Sequence, residues 1–195
     1  MIYLKDIATI RSGYLFREKI VPHPAGQYQV IQVGDISPDA QLPAESSKDS
    51  FVRVNLPDVK RAQVLEPGEV LFISRGQRKQ AVAFTLPLEN TIATSQFFVI
   101  RPNEKLIPEF LAWYINQPPA QRYIEEHSTG TSVSLINLEA MKTLPIETPP
   151  LETQTRIVKI QQLSLREKAL METIRDKRRR LIETALLEAV RGGEA

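Results

Sequence analysis

A mixed α/β (α+β) domain followed by one long C-terminal helix is the fold class this sequence predicts, and three observations predict it. Residues 151–190 contain no Gly and no Pro, whereas the 150 residues before them contain six Gly and all fourteen Pro of the chain. Within that first part, short clusters of apolar and β-branched residues are bounded by turn chemistry, as strands are. Between residue 108 and the long segment, apolar residues recur at helical spacing behind Pro residues that suit a first helical turn. Two regions are therefore expected: a compact domain over 1–150 and a helix over 151–191.

The elements follow in order. Tyr28–Val33, Val70–Ser74, Ala81–Phe84 and Gln96–Ile100 read as strands. Pro67-Gly68 precedes the second, and Arg75-Gly76-Gln77-Arg78-Lys79 joins the second to the third as a hairpin-like loop with Gly at its bend. Pro108 opens a helix to Asn116 whose Phe110, Leu111, Tyr114 and Ile115 form an apolar face, and Pro119 opens another through Glu126. Trp113 is read as a core or helix-packing residue of the first, with a stacking role as the alternative. After the polar turn Ser128–Ser132, Asn137 caps a short helix ending near Leu144, and Pro145–Pro150 runs extended. The final segment, at about 1.5 Å per residue, makes a helix roughly 60 Å long, more than a domain of this size needs to cover its core.

Composition narrows the function classes. A chain of 195 residues at 42% hydrophobic supports one well-buried core. No stretch approaches the roughly 20 apolar residues of a membrane span, and the first residues lack a signal-peptide layout, so a soluble, cytoplasmic protein is expected. With no Cys, and with His23 and His127 far apart, neither thiolate chemistry nor a metal site is expected. Charge is uneven. Residues 156–181 carry nine Lys or Arg against three Asp or Glu, a net +6, whereas residues 1–155 carry fifteen against seventeen, a net −2. Nucleic-acid binding by the first region thus requires a local patch or a partner, because sequence-independent affinity comes from neutralising phosphates. The run Lys177-Arg178-Arg179-Arg180 fits either a solvated helix face or a phosphate contact.

The string from Gly130 to Val158, with Leu144-Pro145-Ile146 leading through Pro149-Pro150-Leu151 to Gln154, resembles the end of a target-recognition domain in the specificity subunits of type I restriction-modification systems. Leu4-Lys5-Asp6-Ile7 with Ser12-Gly13, Val33-Gly34-Asp35-Ile36, Pro67–Phe72 with Arg75-Gly76, and Pro108-Glu109-Phe110-Leu111 fall in the same order along nearly the whole chain. The ordered set carries the resemblance; no single piece is specific. The resemblance implies a domain that reads one half of a split double-stranded DNA site in the major groove. It also implies long helices that pair as an antiparallel coiled coil setting the half-site spacing, and separate modification subunits that transfer the methyl group. It leaves open whether a restriction (nuclease) subunit joins. The family's usual chain has two recognition domains and two long helices. One of each is present here, so the expectation is a half-subunit that dimerises through its helix to read an inverted repeat.

Base readout needs Arg, Lys, Gln, Asn, Ser or Thr on loops, since bidentate Arg to guanine and Gln or Asn to adenine match the groove edges. The strongest candidate is the loop with Arg75, Gln77, Arg78, Lys79 and Gln80. Arg11, Ser12, Tyr14, Arg17 and Lys19 come next, then Thr94-Ser95-Gln96, and then Thr129–Ser134 with Thr131 and Ser132, where Gly130 allows close backbone approach. On the helix, Ile157, Ile160, Leu163, Leu170, Ile174, Leu181 and Ala185 follow three-, four- and seven-residue steps, interrupted at Glu167 and at Lys177 or Arg178. A short paired seam fits this pattern. The competing reading, a helix folded back on its own domain, leaves Leu181, Ile182, Leu186, Leu187 and Val190 exposed.

Enzymatic readings find little footing. No glycine-rich phosphate cradle follows a strand, so no cofactor is expected. Asn116-Gln117-Pro118-Pro119 reads as a helix break, and neither Asp39 with Glu45 and Lys48 nor Asp58 with Glu69 has nuclease spacing. Two hypotheses stand: a non-catalytic DNA-specificity module that recruits a methyltransferase, or a helix-mediated assembly or regulatory protein of the same fold that does not read DNA.

Overall fold

In the computed structural model, the described residues are 2–43, 51–57, 59–60, 63–130 and 133–192. Two compact units divide the chain, Met1–Thr155 and Arg156–Ala195. The first unit is built on a four-stranded antiparallel sheet. In chain order, β1 (Ile2–Tyr3), α1 (Leu4–Ile7) and β2 (Ala8–Ser12) are followed by β3 (Tyr28–Ile31) and β4 (Val52–Val54). Then come β5 (Glu69–Ile73), β6 (Ala81–Phe84), β7 (Thr91–Ala93) and β8 (Phe97–Pro102). Helices α2 (Pro108–Ile115) and α3 (Pro118–Glu126) lead to β9 (Ser128–Thr129), β10 (Leu135–Ile136), α4 (Leu138–Lys142), β11 (Pro145–Ile146) and α5 (Leu151–Gly192).

The sheet order is β2-β8-β5-β6, and a three-stranded sheet has the order β4-β3-β7 with β3 parallel to β7. Alternation along the strands decides which side each residue serves. Leu71, Ile73, Val82, Phe84, Phe97 and Val99 face a cluster shared with Ile31 and Ala93 of the smaller sheet. Their sequence neighbours Val70, Phe72, Phe98 and Ile100 take the opposite face, against which α2 packs. Val30, Val54 and Ile92 turn the other way from the smaller sheet, to Tyr14, Phe16 and Tyr28. Strand β3 is thus buried on both sides, which explains its unbroken apolar end Val30-Ile31. Full burial of Phe72, Phe84, Phe97 and Phe110 contributes on the order of 2–3 kcal/mol each.

All four expected strands form, Ala81–Phe84 with the expected ends and the other three with ends no more than two residues away. The break at Asn116-Gln117 is real, and Asn116 there pairs with Ala81 like a strand residue: Nδ2 donates to the Ala81 carbonyl and Oδ1 accepts from its N–H, both at 2.8 Å. Asn137 caps α4, its Oδ1 accepting from the Ala140 N–H at 2.8 Å. The strands that sequence signals miss are β1, β4, β7 and β9–β11, all two or three residues long, together with β2, which holds Arg11 in a strand where a loop is expected.

The long helix starts at Leu151, and its first turn belongs to the domain. Gln154 is fully buried; its Oε1 accepts from the Ile107 N–H at 2.9 Å, and its Nε2 donates to the carbonyls of Lys105 (2.9 Å) and Pro149 (2.8 Å). From Arg156 onward the helix forms the second unit, and Ile160, Leu163, Leu170, Ile174 and Leu181 are all exposed, as are Ala185, Ile182, Leu186, Leu187 and Val190. Ile157 is half-buried. No helix among the described residues is long and apolar enough to cross a membrane.

Candidate nucleic-acid interface

Strand register gathers the polar loops at one end of the larger sheet. Ser12 pairs with Phe98, Ile73 with Phe97 and Phe72 with Ala81, so the ends of β2 and β5 and the starts of β8 and β6 lie together. Five hydrogen bonds knit that end. The Ser74 N–H and hydroxyl both donate to the Gln96 carbonyl (2.8 and 2.9 Å), and the Gly13 N–H donates to Phe97 (2.9 Å). The Ile136 N–H donates to the Ser74 carbonyl (3.1 Å), and the Gly76 N–H to Ser134 (3.0 Å), beside a bridge between Arg75 and Leu135. Gly13 is required: a Cβ there would stand 2.2 Å from the Thr94 carbonyl oxygen. Gly76, at φ +115°, makes the bend after Arg75 without strain.

Segments far apart in sequence, around residues 12–14, 74–80, 94–96, and 129–130 with 133–136, therefore meet in one place. Arg75, Gln77, Arg78, Gln96, Ser12 and Thr129 are exposed there. Arg78 is also tied down, its Nη1 and Nη2 donating to the carbonyls of Ile36 and Val33 at 3.2 Å, and Gln80 Nε2 donates to Pro38 at 2.8 Å. Thr131 and Ser132 lie outside the described residues, as do Glu45, Lys48 and Asp58. Tyr14 is half-buried, its backbone bridged to Thr94 and its ring edge-on to Phe16 at 4.9 Å. Lys19 is exposed and lines a separate cleft of about 720 Å³ with Arg17, Leu56, Lys60 and Gln63, which Tyr14 borders.

Two expected contact residues do different work. Lys79 is buried, and its ammonium donates to the carbonyls of Ser74 (2.6 Å) and Ser134 (2.7 Å), clasping the Arg75 loop to the segment before β10. Burial, with the nearby charge of Arg75, lowers its pKa to about 8. Arg11 sits in β2 with Nη2 2.9 Å from both Glu69 carboxylate oxygens and 3.2 Å from the Val64 carbonyl. The Glu69 side chain, 1% exposed, also accepts from Arg101 Nη2 (3.0 Å) and the Glu66 N–H (3.0 Å). Both side chains satisfy interior groups instead of pointing outward. The signal for Arg11 was present in its strand-like neighbours Thr9 and Ile10; for Lys79 no local signal distinguishes it from Arg78.

No group of His, Cys, Asp or Glu among the described residues is arranged to hold a metal ion. What the geometry defines is a mixed α/β domain presenting two arginines and two amides on loops at a sheet end, joined to a long helix that carries exposed apolar residues. The chain belongs to the family described as type I restriction modification DNA specificity domain, whose model matches residues 1–177. Solved structures agree in fold. A chain from the structure of a type I R-M system, described for complex assembly and conformational transition, is 19% identical with a TM-score of 0.61, over 87% of this chain and 39% of that one. The HsdS subunit from Thermoanaerobacter tengcongensis is 19% identical with a TM-score of 0.60, over 86% and 37%. The type I restriction-modification S subunit from M. genitalium is 16% identical with a TM-score of 0.54, over 86% and 38%. The chain thus spans about two fifths of the length of each solved chain it resembles. A search of the curated proteins gives no match.

Proposed function

We propose that this chain is a DNA-reading module that contributes specificity and no chemistry: the sheet-end loops contact one half-site, and the helix joins a second copy so that two domains read an inverted repeat. Methyltransferase subunits docked on this assembly carry out the modification. The observation that carries the reading is the convergence of four separate polar segments at one end of the sheet, with Arg75, Gln77, Arg78 and Gln96 exposed. Loops bearing Arg and Gln on a rigid sheet end suit bidentate contacts to guanine and adenine. Arg17 and Lys19, on the separate cleft that Tyr14 borders, extend the proposed contact surface, Thr131 and Ser132 belong to it, and Lys79 and Arg11 hold it in shape.

Pairing through the helix is supported by the exposure of Ile160, Leu163, Leu170, Ile174 and Leu181 along one stripe. With residues 1–155 at net −2, the chain alone binds DNA weakly and with a steep salt dependence, and the methyltransferase partner supplies much of the phosphate contact. Methylation mapping of DNA modified by the complex tests the reading head. Replacing Arg75 or Arg78 relaxes the methylated motif at one base pair, whereas replacing Arg179 or Arg180 on the helix leaves the motif unchanged. Unaltered stringency in both loop variants would move the reading head elsewhere.

A further inference from the structure

The charged residues that interrupt the helix seam are themselves evenly placed. On heptad spacing the stripe reads Ile160, Leu163, Glu167, Leu170, Ile174, Lys177, Leu181 and Thr184. This series is symmetric about residue 172: Leu170 mirrors Ile174, Glu167 mirrors Lys177, Leu163 mirrors Leu181, and Ile160 mirrors Thr184. One layer further out, Arg156 mirrors Glu188. Apolar positions mirror apolar ones in the centre, and each acidic seam residue mirrors a basic one.

With α5 set antiparallel to α5 of a second copy, as the family resemblance implies, we infer the register of the pair: the twofold axis lies beside residue 172. This rests on the proposed dimerisation and specifies its geometry. Glu167 of each copy then faces Lys177 of the other. Within one helix these two lie about 15 Å apart and cannot meet. Arg179, by contrast, has partners on its own helix, Asp176 at 3.8 Å and Glu183 at 3.9 Å.

Charge selects this arrangement over the others. Parallel in-register pairing sets Glu167 against Glu167, and the run Lys177–Arg180 against its own copy. Sliding an antiparallel partner by one heptad sets Lys177 against Ile160 or Ile174, and Glu167 against Leu170 or Thr184, leaving a charge without an opposite partner in the seam. Only the register centred on 172 matches both seam charges with opposite ones. It also separates the two copies' Arg156 residues by about 50 Å along the axis.

The chain has no Cys, so introduced thiols report the register without background. In the full-length L163C/L181C variant, mild oxidation gives a covalent dimer, because the thiol at position 163 of each copy meets the thiol at position 181 of the other. The single variants L163C and L181C stay uncrosslinked, their own copies lying about 27 Å apart. Crosslinking of the single variants would establish parallel pairing, and a dimer by light scattering that fails to crosslink in the double variant would establish another register. Either result overturns the inference and leaves dimerisation standing; a monomeric full-length chain would overturn dimerisation too. Charge exchange gives an independent reading that does not alter apolar packing. E167K or K177E alone weakens the dimer about tenfold or more, and E167K/K177E together restores it, since opposite charges again face each other. Failure of the double exchange to rescue refutes the register.

Discussion

Arg11→Ala separates holding the domain from reading DNA. The substitution removes the guanidinium whose Nη2 lies 2.9 Å from both Glu69 oxygens, while the carboxylate remains 1% exposed. Breaking a fully buried pair costs about 3–5 kcal/mol. Here the Arg11 side chain is 29% exposed, and Arg101 and the Glu66 N–H still bind Glu69, so the loss is smaller, about 2–3 kcal/mol. For a domain of this size that lowers Tm by roughly 4–12 °C. Denaturant and thermal unfolding of R11A, E69A and R11A/E69A measure it, and the double variant should lose less than the sum of the singles because the pair is one unit. At temperatures where R11A is folded, its methylated motif matches the unsubstituted protein's. A normally stable R11A with a relaxed motif would refute this reasoning and return Arg11 to the contact surface.

Three further outcomes are expected. Arg75→Ala should leave unfolding nearly unchanged but cost about 1–3 kcal/mol at the cognate site by competition binding, with discrimination lost at one base pair; equal weakening at all sequences would make Arg75 a phosphate contact. For Lys79, the folded pKa of about 8 lies below the ordinary 10.5, so the penalty for burying its charge is full below pH 8 and disappears as pH rises through 8 to 10.5. Relative to K79M, the unsubstituted protein should therefore gain stability across that window, and a pH-independent difference in unfolding free energy would refute the assignment. Gln154→Ala leaves the Ile107 N–H and two carbonyls without their buried partner, so it should destabilise the domain by about 2–4 kcal/mol in denaturant unfolding while preserving the helical signal of residues 156–192; an unaffected midpoint would mean that Gln154 does not seat the helix.

The long helix was legible in the sequence because helix formation is local: an unbroken segment without Gly or Pro, with apolar residues at helical steps, decides its own backbone. The same holds for α2, α3 and the strands around Val70, Ala81 and Phe97, where runs of apolar residues and flanking turn signals sit side by side. The symmetry of the seam about residue 172 is likewise written in the sequence, though it shows only once the helix is laid out as a heptad. What tertiary structure alone decided is which polar side chain faces water. Lys79 and Arg78 are neighbours with the same charge on one loop, yet Lys79 is buried against the carbonyl of Ser134, 55 residues away, while Arg78, though bonded to the carbonyls of Ile36 and Val33, stays exposed. Arg11 reads as a loop cation until β2 places it beside Glu69, 58 residues on, and Gln154 is one letter of a motif until it meets the Ile107 N–H, 47 residues back. Periodicity and turn chemistry are properties of neighbouring residues, but a polar group's partner is set by the packing of strands and loops distant in sequence, and that partner decides whether the group holds the fold or is free to meet a ligand.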